Sequence, residues 1–250
     1  MNPIDRYLNL MELTLTGAIF EDVGYAPGEH PELATHYDVE KRLLGRDWPQ
    51  HAHTMIGLKR LRHLRGAIEF ILKESVPGDF IETGVWRGGA CIFMRAILAA
   101  YGVEDRKVFV ADSFEGLPPP RSDRFPADKG SWLHEVPFLA VPLQEVKRNF
   151  SKYGLLDEQV VFLKGWFKDT LPSAPIERLA LLRLDGDMYE STMDALSALY
   201  DKVSPGGFVV IDDYNLSRCR QAVTDFCSAN NLSVKLEEID LNAVFWRKPG

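Results

Sequence analysis

Four aspartates in the last third of the chain have the residue type and spacing that a metal site needs. Asp185 and Asp187 stand in the run LDGDMY, and Asp212 and Asp213 stand in the run IDDY. Each run ends an apolar segment typical of a buried strand, so the four carboxylates would meet at one edge of a parallel sheet. Carboxylates at such range resist joint ionisation, and a bound divalent cation would relieve the repulsion. An all-oxygen ligand set favours Mg²⁺ over zinc; alternatively, two or three of the aspartates cap helices and face water.

A glycine-rich run, ETGVWRGGA at residues 82–90, is a second candidate site. Gly84 and Gly88 would let the backbone turn tightly and let a ligand approach closely. The spacing is G-x-x-x-G-G and not the dinucleotide pattern G-x-G-x-x-G, which weakens a phosphate-cradle interpretation. A strand-to-helix turn without any ligand stays open as the alternative.

Asp112 ends the second predicted strand and is followed by Ser113. An acidic residue at this place in doubly wound folds hydrogen-bonds the ribose of a bound nucleotide. Both residue types also suit a helix N-cap, which is the competing interpretation.

Two further runs carry weaker signals. Gly165, Trp166 and Phe167 follow the third predicted strand, where the aromatic rings could stack on an adenine or could simply fill the core. His51 and His53 precede a predicted helix and could be ligands, bases or helix-terminal polar contacts. No second ligand four residues on supports a metal site at either histidine.

The elements that would position these residues alternate between strand and helix, which is typical of a doubly wound sheet. Ligands of such sheets bind beyond the carboxyl ends of the strands. The apolar runs LALL and FVVI suit strands buried on both faces. Predicted strands cover residues 79–85, 107–112, 159–164, 179–185 and 207–212, and two more strands, at 234–239 and 243–247, are predicted to pair antiparallel. Predicted helices cover 89–101, 190–202 and 217–230.

The N-terminal part of the chain differs from the rest, because it lacks a convincing strand. Amphipathic helices are predicted at 4–20 and 56–75, separated by a polar stretch at 24–50. We therefore divide the chain into a helical N-terminal cap (1–76) and a sheet domain (77–250). Residues 114–142 form a proline-rich stretch that is too long to be a simple connection. We predict that it covers the bound acceptor, and we call it the lid. On the second helix, Arg60, Arg62 and Arg65 are predicted to form a solvated face.

Composition narrows the class of protein. The 250 residues carry a net charge of -7, which argues against a nucleic-acid-binding surface. The three cysteines have no CxxC spacing, so neither a disulfide framework nor a zinc site is expected. The first 22 residues resemble neither a signal peptide nor a membrane span, and we expect a cytoplasmic protein that binds no membrane.

The runs at 52–57, 82–91 and 165–170, together with DGD and DDY, resemble the macrocin O-methyltransferase family. Its members methylate deoxysugars on macrolide antibiotics, and aminocoumarin sugar methyltransferases are related. The resemblance implies the class I S-adenosylmethionine-dependent methyltransferase fold. That fold is Rossmann-like, with a mostly parallel seven-stranded sheet containing one antiparallel strand, here joined to the helical N-terminal cap.

The resemblance also implies roles for individual residues and a function. We expect an S-adenosylmethionine- and Mg²⁺-dependent O-methyltransferase acting on a deoxysugar hydroxyl of a small-molecule glycoside, and we expect a homodimer. A catechol or phenolic acceptor, a nicotinamide-dependent oxidoreductase and a silent binding module are the alternatives; the absent dinucleotide pattern and the aspartate cluster count against the last two. Asp187 would be the general base; Asp185, Asp212 and Asp213 would hold the metal; and Thr54, Met55, Glu82, Thr83, Gly84, Gly88, Ala90, Asp112, Ser113, Gly165, Trp166 and Phe167 would bind the cofactor.

Overall fold

In a computed structural model that describes residues 2–25 and 36–250, helices lie on both faces of a central sheet. In chain order the helices are α1 (Pro3–Leu15), α2 (Val39–Leu44), α3 (Gly57–Lys73), α4 (Gly89–Ala100), α5 (Leu143–Lys152), α6 (Phe167–Thr170), α7 (Tyr189–Leu199) and α8 (Ser217–Ala229). The strands are β1 (Gly24–Tyr25), β2 (Trp48–Pro49), β3 (Asp79–Thr83), β4 (Val108–Asp112), β5 (Val160–Lys164), β6 (Leu179–Leu184), β7 (Val203–Ile211), β8 (Glu237–Glu238) and β9 (Val244–Arg247).

Within residues 2–25 and 36–250, the main sheet has seven strands in the order β5-β4-β3-β6-β7-β9-β8. Among these described strands, only β9 runs against its neighbours, since β7 and β8 both pair with it antiparallel. The class I methyltransferase fold with one antiparallel strand is thereby confirmed. Leu184 of β6 pairs with Ile211 of β7, so the two aspartate runs do leave the sheet side by side, as predicted.

Alternation along the strands divides the core between the two faces of the sheet. Phe80 packs in one apolar cluster with α1, α3, α4 and α5, whereas the next residue, Ile81, packs in a second cluster with α7 and α8. The first cluster joins side chains of the N-terminal cap, such as Leu8 and Leu61, directly to those of the sheet. Both faces of the central strands are therefore sealed, and only their ends are free to form a site.

The N-terminal cap corrects two predictions. The first helix was expected to reach residue 20 but ends at Leu15, because Gly17 adopts a left-handed φ of 70°. The expectation of no strand before residue 76 is wrong, since β1 and β2 form a two-residue antiparallel ladder. Strands of two residues are too short to show the alternation of apolar and polar residues by which a strand is predicted from sequence. Part of the polar stretch, at 26–35, lies outside the described residues.

Three differences concern the sheet domain. The strand predicted at 234–239 shortens to the two residues of β8, and β7 begins at Val203 and not at residue 207. Helix α5, which the sequence reading did not assign, follows the lid and buries Val146 and Phe150. The lid itself has no sheet among its described residues; it folds as three single turns of 3-10 helix, at Pro126–Asp128, Leu133–Glu135 and Pro137–Leu139.

Among the described helices, none combines the length and the apolar character that crossing a membrane requires.

Candidate active site

A cavity of about 730 Å³ opens beyond the carboxyl ends of β3 to β7. This is the place where doubly wound sheets bind their ligands. Of the sixteen predicted site residues, eleven line it: Met55, Gly84, Asp112, Ser113, Gly165, Trp166, Phe167, Asp185, Asp187, Asp212 and Asp213. Five do not: Thr54, Glu82, Thr83, Gly88 and Ala90 are buried or lie in the turn behind the wall.

The glycine-rich turn starts at Gly84, where β3 ends. Gly84 has a φ of 88°, and a Cβ there would lie 1.8 Å from the backbone oxygen of Asp185. No other residue type fits this contact between the first aspartate run and the glycine loop. Gly88 also has a left-handed φ, but a Cβ there would meet Val146 of α5, so its smallness serves packing.

Asp112 fastens the same turn to the end of β4. Its carboxylate accepts hydrogen bonds from the backbone N–H of Val85, at 2.8 Å, and of Phe114, at 2.7 Å. Burial raises the pKa of this carboxyl, and the backbone hydrogen bonds partly oppose the shift. Asp112 therefore does two things: its hydrogen bonds support the glycine-rich turn, and its side chain borders the cavity.

Glu82 lies beneath the cavity floor. Only 2% of it is exposed, and its carboxylate pairs with Arg183 and accepts from the Cys91 thiol at 2.9 Å. Burial raises its pKa to about 7, although the neighbouring Arg183 opposes the shift. Glu82 is therefore one partner of a buried ion pair and does not face the cavity.

Three of the four aspartates converge as a metal site would require. Asp185, Asp212 and Asp213 each present a carboxylate oxygen, and these oxygens lie within 4.8 Å of one another. The set is all carboxylate, partly buried and at the cavity wall. Hard divalent cations such as Mg²⁺ bind sets of this kind.

Two arginines that the sequence reading did not assign to the site offset part of this charge. Arg183, in β6, pairs with Asp212, with Glu82 and, at 2.8 Å, with Asp185. Arg60, in α3, pairs with Asp212 and with Asp240. The expected solvated arginine face of α3 is therefore wrong for Arg60, which is 7% exposed and turned toward the site. It is wrong for Arg65 too, whose side chain is 15% exposed and pairs with Asp5 and Glu69; only Arg62 of the three is mostly exposed. The position of Arg60 on the inner side of the helix could have been read from the helical period.

Asp187 extends from the loop between β6 and α7 in a left-handed conformation, with φ of 58°. Its backbone N–H donates to Asp213 at 3.1 Å, and Arg218 donates to its backbone oxygen. Burial, and then the charge of Asp185, raise the pKa of the Asp187 carboxyl to about 7, while Arg218 opposes the shift. A carboxyl with this pKa is suited to accept a proton near neutral pH.

Several further charged residues, which the sequence does not single out, line the same cavity as Asp187. Arg121 of the lid pairs with Glu190 in the first turn of α7, and both line the cavity beside Asp194. Burial raises the pKa of Asp194 to about 6. Only the helical spacing of Glu190 and Asp194 could have indicated that they share a face.

The two candidate histidines lie outside the cavity wall. His53 shares a 2.7 Å hydrogen bond between its Nδ1 and the hydroxyl of Tyr153, and its ring packs edge-on against the tyrosine ring. His51 donates its backbone N–H to Asp22. The first contact joins the N-terminal cap to the sheet domain, and the second lies within the cap.

Comparison with known proteins identifies the family. Residues 4–248 match the family model described as macrocin-O-methyltransferase. The chain belongs to the macrocin O-methyltransferase family. It is accordingly an O-methyltransferase. The two alternative functions, a nicotinamide-dependent oxidoreductase and a silent binding module, are excluded.

Proteins with similar sequences match nearly the whole chain. An 8-demethyl-8-(2,3-dimethoxy-alpha-L-rhamnosyl)-tetracenomycin-C 4'-O-methyltransferase from Streptomyces olivaceus is 54% identical over 97% of this chain and 92% of its own length. Mycinamicin III 3''-O-methyltransferase from Micromonospora griseorubida is 50% identical over 98% and 97%. The solved structure of the O-methyltransferase NovP superposes with a TM-score of 0.93 at 50% identity, covering 99% of this chain and 100% of that one.

Proposed function

We propose that this protein transfers a methyl group from S-adenosylmethionine to a deoxysugar hydroxyl of a glycosylated natural product, with the help of Mg²⁺. One observation carries the proposal: the three-carboxylate cluster, the Asp187 side chain and the glycine-rich turn border a single cavity. The relatives support the acceptor class, since they are named for methyl transfer to a rhamnosyl tetracenomycin, to mycinamicin III and to demethyldecarbamoylnovobiocin.

The cavity fits an S-adenosyl cofactor by size and by its polar and aromatic groups. Its volume of about 730 Å³ falls within the range of small-molecule sites. Asp112 and Ser113 offer oxygens for ribose hydroxyls at one side, and Trp166 and Phe167 offer aromatic rings for an adenine. These four residues, with Met55, Gly84 and Gly165 of the wall, are the ones we assign to the cofactor. Thr54, Glu82, Thr83, Gly88 and Ala90 would then shape the pocket from behind.

The charge of the site fits a divalent cation even after the arginines are counted. Asp212 is fully paired, but among the described residues no arginine or lysine pairs with the side chain of Asp187 or Asp213. Burial and the neighbouring carboxylates raise the pKa of Asp213 well above its usual value. The charged side chains gathered at the site are the carboxyl groups of Glu82, Asp185, Asp187, Asp212, Asp213 and Asp240 and the guanidinium groups of Arg60, Arg183 and Arg218. Six acidic groups thus face three basic ones.

In the proposed mechanism, Asp187 accepts the proton of the sugar hydroxyl as the methyl group moves from sulfur to oxygen. Its raised pKa and its place on the wall suit it to this step. Arg183 and Arg60 hold Asp185 and Asp212 in fixed orientations. When bound, a cation held by Asp185, Asp212 and Asp213 would supply Lewis-acid stabilisation of the developing alkoxide, and S-adenosylmethionine would supply the methyl group.

Chelation tests the metal. We expect EDTA to abolish methyl transfer to a glycoside acceptor and added Mg²⁺ to restore it, with product formation followed by mass spectrometry. Asp213→Asn should lose Mn²⁺ binding in calorimetry, whereas the matched control Asp201→Asn, at an exposed position, should retain it. Undiminished transfer in exhaustively chelated enzyme would remove the metal from the proposal.

Acceptor analogues test the substrate class. Two neighbouring hydroxyls of a sugar can share one cation, so a glycoside with a vicinal diol should be methylated faster than its deoxy analogue. Equal rates for both, or transfer only to catechols, would replace the deoxysugar with a phenolic acceptor. Calorimetry with S-adenosylhomocysteine and NAD⁺ provides the independent check of the cofactor, and only the former should bind.

A further inference from the structure

Helix α7 begins directly after Asp187 and Met188 without a side-chain cap of its own. The backbone N–H groups in the first turn of a helix have no partner within the helix. Met188 stands at the N-cap position and offers no polar group to them. Asp187, one residue earlier, is of a type that commonly caps helices, but its side chain lines the cavity. The two N–H groups at the start of α7 therefore need a partner from elsewhere.

Asp128 of the lid is that partner. One carboxylate oxygen accepts from the N–H of Tyr189 at 2.7 Å, and the other accepts from the N–H of Glu190 at 3.0 Å. The Asp128 side chain is fully buried, although the residue is 61 positions away in sequence from Tyr189. Its own backbone is fixed in a tight turn, with N–H to Phe125 and C=O to Ser131, each at 3.0 Å. The carboxylate is thus held rigidly against the helix.

Two further contacts join the same parts of the lid and of α7. Arg121 pairs with the carboxylate of Glu190, and the ring of Phe125 lies 6.0 Å from the ring of Tyr189. The lid segment at 121–131 and the beginning of α7 consequently form one packed unit next to Asp187.

We propose that Asp128 is a positioning residue for Asp187. By capping α7 from outside, it leaves the Asp187 carboxylate free to face the cavity. Without Asp128, the N–H groups of Tyr189 and Glu190 would need another acceptor, and Asp187 stands only two and three residues before them. A carboxylate that turns to cap the helix leaves the place of the base. This inference rests on the proposed role of Asp187 as the base.

The test compares Asp128→Ala with Asp128→Asn, which keeps one acceptor oxygen. We expect Asp128→Ala to lower kcat by roughly 10²-fold, the cost of misplacing a catalytic group by about an ångström. Affinity for S-adenosylhomocysteine should stay near that of the wild type. Residue-resolved amide exchange should accelerate at Tyr189 and Glu190, and Asp128→Asn should recover part of both effects.

A double-mutant cycle separates positioning from general destabilisation. If Asp128 acts through Asp187, adding Asp128→Ala to Asp187→Asn should lower kcat little further. Asp157→Ala is the matched control, because Asp157 also accepts a backbone N–H and pairs with an arginine, Arg95, away from the cavity. It should lower stability and leave kcat unchanged.

Two results would overturn the inference: unchanged exchange at Tyr189 and Glu190 in Asp128→Ala, or a full multiplicative loss of kcat in the double variant. Failure of the proposed base is recognised separately, because Asp187→Asn alone would then keep its kcat while the exchange measurement still reports on the helix cap.

Discussion

Asp187 reaches the cavity from a left-handed backbone conformation, with its N–H bound to Asp213 and its C=O bound to Arg218. These contacts fix the backbone and leave the carboxylate to the cavity. Asp187→Asn keeps the size and removes the base, so kcat should fall by roughly 10²–10⁴-fold, the usual contribution of general-base catalysis. The dissociation constant of S-adenosylhomocysteine should not change. Wild-type kcat in this variant would assign proton transfer to another group.

Asp112 gives a different expectation because it serves both the turn and the cavity. Asp112→Ala removes acceptors for the N–H groups of Val85 and Phe114 as well as the oxygens offered to a ribose. Cofactor binding should weaken by about 1.5–3 kcal/mol, the scale of hydrogen bonds to a charged group. Titration calorimetry measures this directly, with Asp201→Asn as the control. An unchanged dissociation constant would show that neither the turn nor the ribose depends on this carboxylate.

The aspartates could be predicted at this scale, whereas their pairing with Arg183 could not. Asp185 and Asp212 each follow an apolar strand, and the edge of the sheet then brings them together. Arg183 interrupts the apolar run of β6, and its partners Glu82 and Asp212 stand 101 and 29 residues away. Nothing in the local sequence indicates such pairing. The sequence accordingly predicts Glu82 at the cofactor and gives no sign of its ion pair with Arg183.

The segments that follow β3 and β6 approach each other closely at Gly84. Gly84→Ala would place a methyl group against the backbone oxygen of Asp185 at a positive φ. We expect the free energy of unfolding to fall by about 3 kcal/mol or more, from strain and overlap together. Gly66→Ala is the matched control, since Gly66 lies inside α3 with nothing within 4 Å of the added methyl group. It should stabilise the protein by about 0.5–1 kcal/mol. Urea denaturation of both variants provides the comparison, and equal effects would contradict it.

Strands buried on both faces could be placed from sequence to within a few residues, because their apolar runs are unbroken. Elements that form only through contacts with residues far away in the sequence could not be placed in this way. Helix α5 forms where Val146 and Phe150 pack under the glycine-rich turn, and β8 is only as long as its pairing with β9. The start of α7 depends on Asp128, which no local signal connects to it.

For the whole molecule, the cap at 1–76 and the homodimer remain predictions. The apolar core runs without interruption from α1 and α3 into the sheet. We expect light scattering of the purified protein to give twice the mass of the chain. A monomer at micromolar concentration would contradict the dimer.

Two half-buried histidines, His53 and His63, join the N-terminal cap to the sheet domain. His53 bonds to Tyr153 at the end of α5, and His63 of α3 packs against the ring of Phe245 in β9. Burial lowers the pKa of each to about 4. The charges of Lys152 and Arg87 near His53, and of Arg183 near His63, add to the shift, while Asp22 and Asp240 oppose it. Both rings are therefore neutral in the folded protein at pH 7.

Acid should loosen this junction in a defined pH window. An unfolded histidine titrates near pH 6.5, so between pH 6.5 and about 4 the unfolded chain binds more protons than the folded one. The histidine contribution is thus complete above pH 6.5 and is lost as the pH falls toward 4. The buried carboxyls with raised pKa values act in the opposite direction. Comparing wild type with His53→Gln/His63→Gln isolates the histidines, because the carboxyls are common to both. We expect the difference in unfolding free energy, from urea titrations at pH 7 and pH 5, to shift in favour of the variant at pH 5. A difference independent of pH would show that the two rings do not resist protonation.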